Sequence, residues 1–324
     1  MIGILGPLLV FGILSPVDSG VSFANILPSD TDPQIGHQYN SAHSLYVNRG
    51  IVVNHRPGLP PDRHELLVWL PGTAAHGPGP QAFCELAANL GYHVVSLSYP
   101  NNTGTAVCRQ DADPDSYLEF RMAILEGGKS AHKTVAKADC IRNRLGKLLL
   151  TLQRLRPEEN WGQFMHGDGI NWPAIALAGH SQGGGHAALL GIKHRVARVI
   201  CFGGPKDYNV VRHLPAAWYG LVSATPKACF FAFNNRQDPV GCSASNQFVN
   251  LAALKLDAFG LPADVDAEAY PYHHARILTT GKPPVAVLAE FSPDSVAAHL
   301  SMIDGRNALR FRQVWTYVLT EKVP

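Results

Sequence analysis

Five consecutive residues, Gly179-His180-Ser181-Gln182-Gly183, carry the clearest chemical signal in the sequence. They fit the pattern Gly-x-Ser-x-Gly, in which a serine lies at the apex of a sharp turn from a strand into a helix. The apolar run at residues 174–178 predicts the strand, and a second apolar run after the motif predicts the helix. The two glycines leave room for the helix to pack against the strand. The serine hydroxyl lies beside the N–H groups at the helix start and is a candidate nucleophile.

A serine hydroxyl is a weak nucleophile near neutral pH, so it needs a base within hydrogen-bond reach and an acid that orients the base. The candidate acid is Asp238, which follows the apolar run at residues 229–233. Asp207, which follows the preceding apolar run, is the alternative acid. Asp238 also fits a plain turn before Pro239, without any chemical role.

The candidate base is His299, which comes after the last predicted strand and before the last predicted helix. His273 and His274 are the alternatives, but they lie near the start of that strand and so belong to the opposite edge of a parallel sheet. The order serine, acid, histidine along the chain is one in which loops after successive strands bring three such groups together.

Strands and helices alternate along the chain from residue 64 onwards, which predicts a mainly parallel sheet with helices on both faces. Ligands bind such sheets at the carboxyl ends of the strands, where we expect Ser181, Asp238 and the loop 71–74. Runs at residues 44–47 and 51–54 around Asn48-Arg49-Gly50 predict an additional β-hairpin. The predicted strands are residues 66–70, 93–98, 174–178, 196–202, 229–233 and 276–279, and the predicted helices are residues 81–90, 116–125, 141–155, 248–259 and 309–319.

Over roughly residues 43–322, this chain resembles the serine hydrolases of the α/β-hydrolase fold. The most specific part of the resemblance is Gly-His-Ser-Gln-Gly with the acid and the histidine in order, and such Gly-x-Ser-Gln-Gly turns are similar to those of esterases, lipases and thioesterases. The resemblance implies that Ser181 is the nucleophile, His299 the general base and Asp238 the group that orients it.

The resemblance also implies an oxyanion hole, whose first donor is the backbone N–H of Gln182. The second N–H comes from the loop after the third strand and maps to Thr73, or with less support to Ala74. This loop reads Pro71-Gly72-Thr73-Ala74 and lacks the His-Gly that is common in the family.

Three aromatic or imidazole side chains are candidates for substrate binding: His180, Trp218 and Tyr219. His180 adjoins the nucleophile and is predicted to pack there or to line the pocket. Trp218 and Tyr219 are equally compatible with a pocket wall and with the core of a small cap formed by residues 101–137 and 205–226. His186, on the helix after the motif, is predicted to be structural.

These residues predict a hydrolase that cleaves a small-molecule or lipid carboxylic ester through an acyl-enzyme. The same triad also fits a thioesterase, an amidase or an acyltransferase. A different class, a non-catalytic binding module on this fold, is disfavoured because all three triad candidates occur in order. The sequence does not specify the substrate or the acyl chain length.

The composition argues against several other classes of protein. A formal net charge of +2 is too small for a nucleic-acid surface. The sequence contains no His-Glu-x-x-His and no cysteine-histidine set with zinc spacing, so no metal site is expected. It has no second glycine-rich phosphate loop, so no cofactor is expected either.

The apolar block at residues 2–14 is too short for a membrane span and has the length of a signal-peptide core. We therefore predict a leader of residues 1–24, a cut after Ala24, a single domain over residues 25–324, and a secreted or periplasmic protein. Six cysteines in an exported chain favour disulfides, and Cys108 with Cys140 is one candidate pair. Cys201 and Cys229 lie in apolar strands and are also compatible with buried free thiols.

Overall fold

A computed structural model describes residues 20–36, 39–52, 62–282 and 294–323 of the chain. Its main feature is a nine-stranded sheet in the order β1-β2-β4-β3-β5-β6-β7-β9-β8. The strands are β1 (Val21–Ile26), β2 (His43–Asn48), β3 (Leu66–Leu70), β4 (His93–Ser96), β5 (Ile175–His180), β6 (Arg198–Phe202), β7 (Phe230–Asn235), β8 (Ala263–Asp264) and β9 (Ile277–Thr280).

All pairings from β4 to β8 are parallel, whereas β1 and β2 run antiparallel at one edge. Between the strands lie the helices α1 (Gln81–Asn89), α2 (Ser116–Glu126), α3 (Ile141–Leu155), α4 (Gln182–Lys193) and α5 (Ala244–Ala253), and after the last strand come α6 (Asp294–Leu300) and α7 (Ala308–Thr320). This is the predicted α/β-hydrolase fold.

The sheet has a separate apolar core on each face, because successive residues of a strand point to opposite sides. Val68 of β3 belongs to the core that includes α2, α3 and α4, with Phe120 and Leu145 among its members. Trp69, one residue later, belongs to the core that includes Phe83 of α1 and Trp315 of α7. Burying one large apolar side chain stabilises the fold by about 1.5–3 kcal/mol, which explains why the central strands consist mainly of apolar residues.

The predicted hairpin at residues 44–54 is wrong. Arg49–Val52 forms a short helix, and β2 pairs instead with Val21–Ile26, which precedes it in the chain. The Asn48 side chain accepts a hydrogen bond from the Gly50 N–H at 2.8 Å and so turns the chain away from the sheet. Residues 53 and 54 lie outside the described residues.

The predicted disulfide between Cys108 and Cys140 is also wrong, since all six cysteines are free and buried. The Cys108 thiol donates to the Ser116 carbonyl, with 3.7 Å between sulfur and oxygen. The Cys140 sulfur accepts the Asn143 N–H at 3.4 Å and thereby caps the start of α3. Each thiol therefore has a structural partner of its own.

The two segments predicted as a cap, residues 101–137 and 205–226, contact each other beside the sheet. The Tyr117 hydroxyl of the first donates to the Tyr208 carbonyl of the second at 3.0 Å. The Asn209 side chain donates to the Asp111 carbonyl at 2.7 Å. The two segments therefore form one layer, and their role as a cap stays a prediction.

The predicted leader falls mostly outside the described residues, and the predicted cleavage site after Ala24 lies within β1. Export therefore stays a prediction that depends on residues 2–14. Within the described ranges, no helix has the length and apolar character needed to cross a membrane.

Candidate active site

Ser181 lies between β5 and α4 in a backbone conformation that side chains rarely adopt, with φ 56° and ψ −119°. A Cβ on Gly183 would come within 1.9 Å of the Leu70 oxygen, and one on Gly179 within 2.4 Å of the Gly183 carbonyl carbon. Only glycine fits at both positions. A non-glycine residue in such a conformation costs about 1–3 kcal/mol and persists only where the surroundings enforce it. The local geometry is thus that of a serine presented at a strained turn.

Asp238 and His299 are hydrogen-bonded, with 2.8 Å between Asp238 Oδ2 and His299 Nδ1. Asp238 follows β7, and His299 lies near the end of α6. Because a carboxylate only accepts, Nδ1 carries the proton and Nε2 is left as the acceptor. This is the tautomer in which an imidazole can take a proton at Nε2.

The environment favours an ionised carboxylate and a neutral imidazole. Burial alone would raise the pKa of Asp238, but the His299 bond and the Lys206 charge hold that pKa below its ordinary value. Burial lowers the pKa of His299, and the Asp238 bond offsets this only in part. The pair therefore has the protonation states that a base and its orienting acid need near neutral pH.

His180 connects the serine turn to the histidine. Its ring packs on that of His299 with 4.3 Å between centroids, and its Nε2–H donates to the His299 carbonyl at 2.9 Å. Burial holds the pKa of His180 well below its usual value, so this ring is neutral. Within the described ranges the Ser181 hydroxyl makes no hydrogen bond to His299, and such bonds often form only when substrate is bound.

The alternative acid and bases are engaged elsewhere. Asp207 is fully buried and accepts two bonds from the Arg121 guanidinium, one of them at 2.7 Å. The side chains of His273 and His274 are 86% and 69% exposed and contact Glu268 and Glu321. Of the candidates in the sequence, only Asp238 and His299 are paired with each other.

The two proposed oxyanion donors are held together by their side chains, because the Thr73 hydroxyl donates to Gln182 Oε1 at 2.8 Å. Gln182 is the first residue of α4, where backbone N–H groups have no partner within the helix. The Ala74 N–H already donates to the Asn101 carbonyl at 3.0 Å. This favours Thr73 over Ala74 as the second donor.

Trp218 and Tyr219 lie in a buried polar network and do not line a described cavity. The Trp218 Nε1–H donates to Asp207 Oδ2 at 2.8 Å, and the Tyr219 hydroxyl accepts the Asp207 N–H at 3.0 Å. Their positions match the second alternative, that of core residues beneath the 205–226 segment.

Arg121 is a residue that sequence reasoning missed. Besides pairing with Asp207, its guanidinium donates to the Gln182 carbonyl at 3.0 Å. A Cβ on Gly185 would come within 2.1 Å of the Arg121 Nη2. The third glycine of the run 183–185 was the only signal in the sequence, because it shows that something packs against the start of α4. His186 lies beside the same guanidinium, as expected of a structural residue, with 3.2 Å between Nδ1 and Nη1.

A largely apolar cavity of about 410 Å³ opens between the loop after β3 and the loop after α6. Gly72 and His180 line it on one side, and Leu300 and Ile303 on the other. A Cβ on Gly72 would lie 3.3 Å from the Ser181 Cβ, so one wall residue of the cavity is next to Ser181.

One group of potential metal ligands occurs in the described part of the chain. Atoms of Cys108, Asp111 and His132 lie within 4.8 Å of one another in the segment 101–137. Their polar atoms already have protein partners, since Asp111 accepts from Ser116 and from His132 Nε2, the latter at 2.7 Å.

No family profile and no curated protein matches this chain. Solved structures similar to it include a phosphonate-inhibited esterase B from Lactobacillus rhamnosis, at 14% identity and a TM-score of 0.43, covering 93% of this chain and 86% of that one. A hyperthermophilic esterase from the archaeon Pyrobaculum calidifontis is 15% identical with a TM-score of 0.41, covering 92% of this chain and 82% of that one. Functional inference therefore depends on the geometry of the site.

Proposed function

We propose that this protein is a serine hydrolase that cleaves carboxylic esters through an acyl-enzyme. The observation that carries the proposal is the placement of Ser181 at a strained turn, with the bonded pair Asp238–His299 at the same edge of the sheet. Structural serines do not need such a conformation, whereas a nucleophile gains exposure from it.

In the proposed reaction, Ser181 Oγ attacks the ester carbonyl and His299 Nε2 takes the hydroxyl proton. Asp238 stabilises the imidazolium that forms. The negative charge on the carbonyl oxygen is met by the N–H groups of Gln182 and Thr73, each of which is worth roughly 10²–10³ in rate. The imidazolium then donates its proton to the leaving alcohol, and a water molecule activated by His299 hydrolyses the acyl-enzyme.

The cavity beside Gly72 and His180 supports an ester with an apolar acyl or alcohol group. Its walls are mainly apolar, and its volume of about 410 Å³ is within the range of small-ligand pockets. We therefore propose a small-molecule or lipid ester as the substrate, without a cofactor.

A fluorophosphonate probe tests the proposal directly, because it reacts with an activated serine. We expect the wild-type protein to be labelled at Ser181 and to hydrolyse p-nitrophenyl esters, and Ser181→Ala and His299→Ala each to lose nearly all turnover while remaining folded. Ser223→Ala, which removes another partly buried hydroxyl, is the matched control and should leave labelling unchanged.

A folded wild-type protein that neither reacts with the probe nor hydrolyses esters would contradict the proposal and favour the binding-module alternative. Labelling at Ser181 without ester turnover would favour a thioesterase, an amidase or an acyltransferase, which is then assayed with thioesters, amides and acyl acceptors. Retained turnover in His299→Ala would assign the base to another residue.

A further inference from the structure

Lys206 is a buried charged residue that the proposed reaction does not use. It follows Gly203-Gly204-Pro205 after β6 and is 6% exposed. Its Nζ donates to Asp238 Oδ2 at 2.8 Å and to the Val240 carbonyl. The ammonium group is therefore bound by two protein acceptors in place of bulk water, and one of them is the candidate catalytic acid.

Lys206 and His299 share one oxygen atom. Asp238 Oδ2 accepts from Lys206 Nζ and from His299 Nδ1, each at 2.8 Å, while Oδ1 accepts the Val240 N–H at 2.9 Å. Among the described residues, these three bonds fix the orientation of the carboxylate. A cation bound to the atom that would stabilise the imidazolium necessarily opposes protonation of that imidazole.

The other ionisable groups around this pair do not cancel the Lys206 charge. Asp207, the next residue, is bonded to Arg121. His180, which packs on His299, is neutral because burial lowers its pKa. Burial raises the pKa of the Cys242 thiol to about 12, so this neighbour of Lys206 is also neutral. Burial lowers the pKa of Lys206 itself, and the bond to Asp238 offsets this in part. In the described part of the chain, Lys206 is therefore the cation next to Asp238 and His299.

We propose that Lys206 is a positioning residue that fixes the Asp238 carboxylate against His299. Because its ammonium shares Asp238 Oδ2 with His299 Nδ1, its charge opposes protonation of that imidazole. The role in catalysis rests on the proposed function, whereas the effect on His299 does not. With Lys206 in place, the imidazole stays neutral, and the site stays active, at a pH where an Asp–His pair alone would already be protonated.

Two substitutions separate the charge of Lys206 from its hydrogen bond. Lys206→Met removes both, and Lys206→Gln removes the charge but keeps a donor. In both we expect the acid limb of kcat/KM to move to higher pH by about one unit, since an adjacent charge shifts a titration by that order. On the acid side of the limb this is a roughly tenfold loss of kcat/KM relative to wild type.

The matched control is Lys227→Met. Lys227 is a partly buried lysine whose pKa burial lowers to about 8, but it precedes β7 at the end of the strand away from Asp238. This variant should keep the wild-type acid limb. Lys206→Arg, which keeps the charge, should also restore a limb close to that of wild type.

The His299 imidazole is titrated by NMR in the same variants, because this readout does not require turnover. An upward shift in Lys206→Gln but not in Lys227→Met supports the proposal, even if the wild-type protein has no esterase activity and the proposed function fails. A His299 titration that is unchanged in folded Lys206→Gln would overturn it. If Lys206→Met does not fold, Lys206→Gln and Lys206→Arg decide between the two outcomes.

Discussion

The backbone of Ser181 keeps its strained conformation because the neighbouring Gly179 and Gly183 have no side chains. The Cα of Gly183 lies so close to strand β3 that an added Cβ would meet the Leu70 oxygen at 1.9 Å. Both contacts that enforce the turn, at Gly179 and Gly183, are with backbone atoms, which do not move aside as a flexible side chain does. The position of the hydroxyl is therefore coupled to the packing of α4 on the sheet.

Gly183→Ala is expected to displace the start of α4 and to abolish fluorophosphonate labelling at Ser181. The overlap should also lower the free energy of unfolding by about 1–3 kcal/mol, as overpacking does. Gly146→Ala in α3 is the control, because a Cβ there meets nothing within 4 Å. It should stabilise the protein slightly through helix propensity. Urea denaturation measures the free energy of unfolding, and the fluorophosphonate probe measures the reactivity of Ser181. Normal labelling of Gly183→Ala would contradict the prediction.

At the scale of elements, one guanidinium joins three parts of the chain. Arg121 of α2 binds Asp207 after β6 and the Gln182 carbonyl at the start of α4. Neither Arg121 nor Asp207 is exposed. A pair of this kind adds little net stability while intact, but loss of one partner leaves a buried charge without compensation.

Arg121→Met should therefore lower the free energy of unfolding by about 3–5 kcal/mol. Addition of Asp207→Asn should recover part of that loss, because it removes the unpaired charge. Arg142→Met is the control, since its ion pair with Glu126 is exposed to solvent and is worth about 1 kcal/mol or less. Urea denaturation of the wild-type protein, the two single variants and the double variant tests this. Equal losses in the free energy of unfolding for Arg121→Met and Arg142→Met would contradict the prediction.

The elements that could be predicted from the sequence are those whose signal is local. The central strands and α3 were predicted within a few residues, because runs of apolar residues and a repeat of three and four directly reflect burial. Strand β1 was missed, since its side chains alternate in exposure and its partner is chosen by tertiary contacts. The helix predicted at residues 248–259 starts earlier, because Ser243 caps it by accepting the Asn246 N–H.

The residues of the candidate site also fall into those with a signal in the sequence and those that only tertiary contacts reveal. The candidates Ser181, Asp238 and His299 could be selected from motif and chain order, which reflect the topology of a parallel sheet. Lys206, in a loop, and Arg121, in α2, could not, because a charged residue usually lies in solvent and only the fold shows that these two are buried. The disulfide prediction was wrong because an even number of cysteines and a predicted leader contain no information about the distance between two sulfur atoms.

At the scale of the whole molecule, the six thiols are free and buried, and burial raises the pKa of Cys84, Cys108 and Cys201. We expect none to react with a thiol reagent in the native protein and all six to react after denaturation without reductant. The thermal midpoint should be the same with and without dithiothreitol. Fewer than six thiols in the denatured, unreduced protein would reveal a disulfide.

Several histidines in the folded protein resist protonation, because burial lowers their pKa. They are His43, to about 3, and His93, His180, His186, His194 and His299. The unfolded chain takes up protons near pH 6.5, and the folded chain does so only at lower pH. The stability that these residues contribute is therefore complete above pH 6.5 and is lost progressively as the pH falls from 6.5 towards the folded pKa values.

We expect the thermal midpoint to fall steadily as the pH is lowered from 7 to 5. His43→Asn should make the decline shallower, because the amide oxygen can replace Nδ1 as acceptor for the Ser98 N–H without titrating. His273→Asn, at an exposed position, should not change the slope. A midpoint that is constant over this range in the wild-type protein would contradict the prediction.

The loop after β3 contains both a proposed oxyanion donor and part of the cavity wall. The bond between the Thr73 hydroxyl and the Gln182 side-chain amide involves only the first of these. Together with the bonds from Asn101 to the Gly72 and Ala75 carbonyls, it anchors the proposed oxyanion donor Thr73 to the start of α4 and to the loop after β4. His76 and Pro80, farther along the loop, line the cavity but take no part in these bonds. If the proposed function holds, substrate range can therefore diverge by mutation at His76 and Pro80 while the proposed oxyanion donors are inherited unchanged.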